Sequence, residues 1–330
     1  MYQILQLLDL NELQWKTYFQ FHMELAEKVK TPFELPNDFK IFMKIKSHSL
    51  GKGDAKESIV LQDGKMVAWL QYKVYGFGET SEYGEIYFDT FYEPIPKGLL
   101  KELKSIVTKN MDFFNHKKSY IFEAHNPRFK ELVEFCGAEI MGTNCYFELE
   151  RNQVNTELTN TLLKSDLLEN EQLQFVFHDS LPEYLYESYT HLFNEGFSSI
   201  PHTSPIPIQL TSMEGTAQMV KNFEKGGSHI YSAWLLDKNR KGVAYTIIYL
   251  EDKTVKTIGK QWLTVVTKPY QGKGLAKYLK AAMLQEVFAS VPEMQAVHTN
   301  CTSINYPMMA VNQQLGFEKV GEKYEYALTV

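Results

Sequence analysis

Gln261-Trp262-Leu263-Thr264-Val265-Val266-Thr267-Lys268-Pro269-Tyr270-Gln271-Gly272-Lys273-Gly274-Leu275-Ala276 is the stretch whose reading decides the fold. After Gln261, the next five residues are apolar, aromatic or β-branched, the composition of a buried strand. Two glycines follow, and from Gly274 to Ser290 the apolar residues recur with helical spacing. A strand therefore feeds a glycine-rich turn that opens a helix. Such a turn aims several N–H groups into one hollow, and the helix start adds partial positive charge, which together make a site for a phosphate or pyrophosphate. The dinucleotide fingerprint is excluded because Lys277 stands where its third glycine belongs, and the P-loop pattern is absent.

Outward from this stretch, the elements come in one order twice. The first series has a strand Tyr2 to Leu8, a helix Asn11 to Lys30 and strands at Ser58 to Gln62, Met66 to Tyr75 and Glu85 to Phe91. Asp63-Gly64 makes the first pair of these a hairpin. A helix from Gly98 to Phe114, a strand at Tyr120, a helix Pro127 to Phe135 and a strand Asn144 to Glu150 close the series. After a polar connection, residues 151–171, the order begins again at Leu173 and ends with a strand Tyr324 to Val330. Lys273-Gly274-Leu275 lies over Lys97-Gly98-Leu99, 176 residues earlier, and Leu315-Gly316-Phe317 lies over Cys136-Gly137-Ala138, 179 residues earlier. Similar offsets in the same order indicate a duplication. Expected domains are 1–150 and 172–330, joined by a linker at 151–171.

Composition bounds the function. A hydrophobic fraction of 44% over 330 residues suffices for two buried cores. The net charge of −6 disfavours broad nucleic-acid or membrane-surface binding, so any anion site is local. No apolar run approaches the roughly 18 residues of a membrane span, and no leader opens the chain, so a soluble, cytoplasmic protein is expected. Cys136, Cys145 and Cys301 have neither paired nor metal-ligand spacing, and the nine histidines are scattered. Reduced thiols and no metal are expected.

Downstream of the glycine turn come Asn300, Asn305, Met309 and Asn312, then Leu315-Gly316-Phe317. With the run Val265 to Ala276, this resembles the GNAT superfamily of N-acetyltransferases, and the repeat resembles its tandem members. The resemblance covers residues 261–317 and implies an α/β fold, each domain a mixed, mostly antiparallel central sheet flanked by helices. It further implies acetyl-CoA as cosubstrate. The family's loop pattern falls on Gln271, Gly274 and Ala276, with Gly272, Lys273 and Leu275 also offering N–H groups to the coenzyme A pyrophosphate. Val265 and Val266 fall where the pantetheine arm pairs like an added strand and where a backbone N–H polarises the thioester carbonyl, an oxyanion-hole role. Asn305 matches the position beside the pantetheine.

Two departures stand out. Seven residues after Asn305, where many members carry a tyrosine that protonates the departing thiolate, this chain has Asn312. An amide can hydrogen-bond the sulfur or hold the pantetheine but is no general acid. Tyr306 or Tyr324 substitutes, or the thiolate leaves unassisted. In the first copy, Ile95 and Pro96 stand opposite Gln271 and Gly272, and proline has no N–H to offer. The N-terminal copy is expected to be degenerate.

Glu251 and Glu195 are the acidic candidates for freeing the acceptor amine of its proton, unless a water chain serves. The loop Ser198 to Pro207, with His202, is a candidate lid. Tyr184, Tyr186, Tyr189, Phe193 and Phe197 are either core or the lining of an apolar acceptor pocket. The expected function is acetyl transfer from acetyl-CoA to a primary amine of a small molecule or peptide, without nucleic acid or membrane partners. The rival is a non-catalytic acyl-CoA-binding regulatory module. Aminoacyl transfer would need a basic groove that three arginines, Arg128, Arg151 and Arg240, do not supply.

Overall fold

The computed structural model describes residues 2–29, 39, 55–74, 83–116, 118–124, 127–201, 210–251, 254 and 256–329. The chain divides into two compact units: unit 1 is 1–142 with 323–330, and unit 2 is 143–322.

Unit 1 contains β1 (Tyr2–Gln6), α1 (Glu12–Val29), β2 (Ala55–Gln62), β3 (Lys65–Val74), β4 (Tyr83–Thr90), α2 (Lys97–Phe113), β5 (Lys118–Ala124) and α3 (Pro127–Cys136). Asp63 and Gly64 form the expected tight turn, both with positive φ, between the paired Gln62 and Lys65. β1 to β4 pair antiparallel in sequence order, β4 and β5 pair parallel, and β5 takes an antiparallel partner from the end of the chain, with Tyr326 opposite Ile121. Leu99, Leu103 and Val107 of α2 pack on one face, Trp15, Tyr18 and Phe21 of α1 on the other.

The chain leaves unit 1 inside β6 (Glu139–Glu150) and returns to it inside β12 (Glu318–Thr329). Unit 2 adds α4 (Thr156–Leu163), α5 (Leu167–Asn170), β7 (Gln174–His178), α6 (Tyr186–Ser199), α7 (Met213–Lys225), β8 (His229–Leu236), β9 (Gly242–Leu250), β10 (Ile258–Val266), α8 (Leu275–Ser290), β11 (Ala296–Thr302) and α9 (Tyr306–Leu315). The pairing pattern of unit 1 is repeated. β7 to β10 are antiparallel neighbours, β10 and β11 are parallel, and β11 takes β6 antiparallel, Cys301 opposite Cys145. β8 and β9 read as nearly unbroken apolar runs because helices cover both faces: α8 through Leu275, Leu279 and Met283, and α6 through Tyr189 and Leu192.

This division corrects the expected boundaries of 1–150 and 172–330. Asn144 to Glu150, read as closing the first domain, pairs with β11 in unit 2, and the last strand, read as closing the second, pairs with β5 in unit 1. An alternating strand carries its inward face in its sequence but not its ladder partner, so local reading attached each to its own half. Residues 151–171 are likewise part of unit 2 rather than a free linker. Leu158, Leu162 and Leu167 pack on its core, and the Asn155 N–H donates to the Leu315 carbonyl at 3.2 Å. Among the described residues no helix is long and apolar enough to cross a membrane.

Candidate functional site

The site begins where β10 and β11 part. Their parallel ladder runs only from Ile258 opposite Ala296 to Lys260 opposite His298, and β10 is irregular between Gln261 and Thr264. Beyond it, among the described residues, the edge of β10 away from β9 has no strand partner. The Thr267 N–H donates to Val243 of β9 at 3.0 Å. Strand alternation therefore turns the Val266 N–H and C=O away from β9, into the opening. The carbonyl accepts from the Gln271 side chain at 2.8 Å, which leaves the Val266 N–H.

Next comes the turn. Gly272 and Gly274 have φ of +74° and +81°, which side chains disfavour, and a Cβ at either would meet no atom within 4 Å. Gly274 is the N-cap of α8, without a side-chain cap. Among the described residues no acceptor takes the N–H groups of residues 272 to 277. A row of free donors at a helix start, exposed at Gly272 to Gly274 and passing under cover from Leu275 on, suits an anion. Lys273 turns its ammonium to Glu171 at 2.6 Å, so only its backbone is available to the hollow.

A cleft of about 660 Å³ joins these parts. That volume is in the range of small-molecule sites. One wall is the end of α6, where Gly196 packs so closely on β10 that a Cβ would lie 2.5 Å from the Val265 methyl. Thr302 of β11 donates to the Pro201 carbonyl at 2.9 Å and holds the segment after α6. The other wall is α9, whose N-cap Asn305 accepts the Met308 N–H at 3.3 Å.

The structure thus brings Val265, Val266, Gln271, Gly272, Gly274, Leu275, Ala276 and Asn305 to one cleft. Gln271 does so in an unexpected role, its amide N–H₂ bracing the turn rather than standing free. Sequence reading missed Lys277, which lines the cleft with its ammonium 3.0 Å from Gln314; its signal was a basic residue in the first turn after the N-cap glycine.

Four expected residues are elsewhere. Asn312 is fully buried on the inner side of α9, both side-chain polar atoms without partners, and does not line the cleft. Asn312 and Leu315 are the two buried residues of α9, three positions apart and so on one side of it, against the core. Glu251 pairs with Lys260 at the far end of the β9–β10 hairpin. Val266 lies opposite Ala244, so Glu251 is seven residues, roughly 23 Å, along the strand from the reacting end. Tyr324 belongs to unit 1, its ring 6.0 Å from the Lys130 ammonium. Tyr306 is 69% exposed and outside the cleft lining.

Glu195 accepts the Lys268 N–H at 3.1 Å, a brace on the turn after β10. Burial pushes the Cys301 thiol up to about 11, so it is protonated at neutral pH and suited to packing rather than acyl transfer. His202 lies outside the described residues, as does most of the loop read as a lid. Among the described residues no cluster of histidine, cysteine and carboxylate side chains could hold a metal.

In unit 1 the stretch read as opposite the glycine turn makes different contacts. The Ile95 N–H donates to the Glu131 carboxylate at 2.9 Å, and the buried Arg128 guanidinium donates to the Thr90 carbonyl at 2.6 Å beside Asp89. At the repeat offset of 179 these two α3 residues correspond to Ala310 and Pro307, which line the open cleft of unit 2.

No family model and no curated protein matches the sequence. Solved structures do match its fold. A tandem GNAT protein from the clavulanic acid biosynthesis pathway, solved without acetyl-CoA, aligns over 100% of this chain and 98% of its own, with a TM-score of 0.68 at 16% identity. A GCN5-related N-acetyltransferase from Sphaerobacter thermophilus aligns over 99% and 95%, with a TM-score of 0.66 at 10% identity. A glucosamine N-acetyltransferase region of a fungal multi-domain β-N-acetylglucosaminidase gives 0.66 at 9% identity, over 99% of this chain and 38% of that one. These identities carry the architecture and not the activity: the chain has the fold of the GNAT acetyltransferases.

Proposed function

We propose that this protein is an acetyl-CoA-dependent N-acetyltransferase, with unit 2 as the working domain and a primary amine of a small molecule or peptide as acceptor. The observation that carries the reading is the row of unclaimed N–H groups from Gly272 to Lys277, at the end of a strand whose Val266 N–H faces the same cleft. The turn and the start of α8 hold the pyrophosphate, with Lys277 adding positive charge. The open edge of β10 pairs with the pantetheine arm, and Asn305 stands beside it. Bound acetyl-CoA supplies an activated thioester. The Val266 N–H stabilises the oxyanion that forms when the amine nitrogen attacks the thioester carbon, and collapse of that adduct releases the coenzyme A thiolate. A free thiol has a pKa near 8.5, so its departure without a protein acid is feasible. Water takes the ammonium proton, in keeping with Glu251 standing far along the hairpin and Glu195 being engaged by Lys268.

Unit 1 is a degenerate copy in this reading. Glu131 and Arg128 occupy the places that the diphosphate and the arm would need, so one coenzyme binds per chain.

One observation favours the rival reading of a non-catalytic acyl-CoA-binding module: the position at which the family carries its acid holds the buried Asn312. Calorimetry with acetyl-CoA, together with thiol release measured against a panel of amines, separates the two. Binding with turnover on any amine supports the transferase; binding without turnover on all of them supports the module.

A further inference from the structure

The face of unit 2 formed by β9, β10, α6 and α7 carries a group of aromatic rings that the coenzyme does not use. Trp262 stands at the irregularity of β10, two residues before the cleft residue Thr264. Its ring lies 6.1 Å from Phe193, 6.2 Å from Phe223 and 6.3 Å from Tyr249. Phe193 in turn lies 4.5 Å from Phe197. All five rings are partly open to solvent, and Trp262 is 37% exposed, whereas Trp234 of the same unit is fully buried.

Helix geometry connects this group to the cleft. Phe193 and Phe197 are four residues apart on α6, hence on one side of it, and the helix ends just beyond them at Ser199 and its extended C-cap Ile200, both cleft residues. An apolar row therefore leads from Trp262 to the reacting end of β10. The polar groups beside the row are already engaged. Asn194 exchanges two hydrogen bonds of 2.9 Å with the Thr211 backbone, Glu195 braces Lys268, and Glu251 is held by Lys260. Hydroxyls or a second ammonium on an acceptor would have to compete with these contacts, while an apolar body would cover Trp262 and displace its water.

We infer that the acceptor is a primary amine with an apolar body, an aromatic ring or alkyl chain that lies against Trp262, Phe193 and Phe197 while the nitrogen reaches the cleft. The inference rests on the transferase reading above and adds the substrate class to it. The step it selects for joins the amine nitrogen to the acetyl carbon, breaks the carbon–sulfur bond and delivers the amine proton to water.

The test measures coenzyme A release with 2-phenylethylamine, hexylamine, spermidine and glucosamine as acceptors. Expected is a kcat/KM at least tenfold higher for the two apolar amines. Trp262→Ala raises the KM for 2-phenylethylamine tenfold or more, with kcat within a factor of two and acetyl-CoA affinity unchanged; Trp262→Phe restores most of the loss. Phe197→Ala gives the same split, so a folding defect in one variant does not decide the matter. Preference for spermidine or glucosamine, or an unchanged amine KM in Trp262→Ala and Phe197→Ala, overturns the substrate class while acetyl-CoA binding keeps the transferase reading intact. Failure of the wild-type protein to bind acetyl-CoA removes both.

Discussion

Lys280 sits on α8 with 1% of its surface exposed, its ammonium 5.1 Å from the centre of the Phe317 ring, the Cys301 thiol being the one ionisable group that acts on it. Burial brings its pKa down to about 7, from 10.5. Between those values the unfolded chain carries a proton that the folded chain has released, so stability rises with pH from about 7 upward, and the penalty is greatest below 7. A shift of that size corresponds to about 5 kcal/mol at most, and the part recovered between pH 7 and pH 8.5 is about 2 kcal/mol. With a urea dependence of about 2 kcal/mol per molar, the unfolding midpoint of unit 2 should rise by roughly 1 M over this interval. Lys280→Met keeps the stem and removes the amine, so it should be more stable than wild type at pH 7, with the advantage shrinking toward pH 8.5. Comparing the two proteins cancels titrations elsewhere, including the thiol of Cys136, which burial pushes up to about 11 and which acts in the opposite direction at higher pH. Parallel pH profiles for wild type and Lys280→Met would refute the reasoning, because they would mean that this amine is equally solvated or paired in both states.

Gly274→Pro removes one of the unclaimed donors and forces φ from +81° to about −65°; acetyl-CoA affinity should fall by more than the tenfold to hundredfold expected for one lost hydrogen bond, as read by calorimetry, with unit 1 still folded. Titration should give one equivalent of acetyl-CoA per chain, and two equivalents of similar affinity would contradict the reading of unit 1 as a degenerate copy. Asn312→Leu should leave stability unchanged or raise it by about 1 to 3 kcal/mol, since it removes a fully buried amide with no partners, whereas Asn312→Tyr should lower the melting temperature because a phenol exceeds the space; a thousandfold loss of turnover in Asn312→Leu with coenzyme affinity intact would place the amide in the transition state instead. Gly316→Ala should destabilise unit 2 by about 2 to 4 kcal/mol in thermal unfolding, because its Cβ would fall 2.3 Å from the Gln153 carbonyl oxygen at a φ of +103°.

What the sequence by itself determined is what short-range geometry governs. The Asp63-Gly64 turn, the strand of Val265 and Val266 and the two glycines before α8 each depend on dihedral preferences or on apolar period within a few residues, and those are written locally. The row of free N–H groups at the turn was legible for that reason, since its donors are consecutive backbone groups. Only the tertiary structure decided which strand closes which sheet. Residues 143–150 and 323–329 each suit an antiparallel edge, and the ladder that takes them forms between residues far apart in the chain. The same distance hid the fates of single side chains. Glu251 follows β9 at the end remote from the cleft, Asn312 is buried beside Leu315 on the inner side of α9, and Glu131 and Arg128 meet Ile95 and Thr90 from another helix. A residue's type states what chemistry it can perform; which groups it meets is set by long-range packing, which no local pattern records.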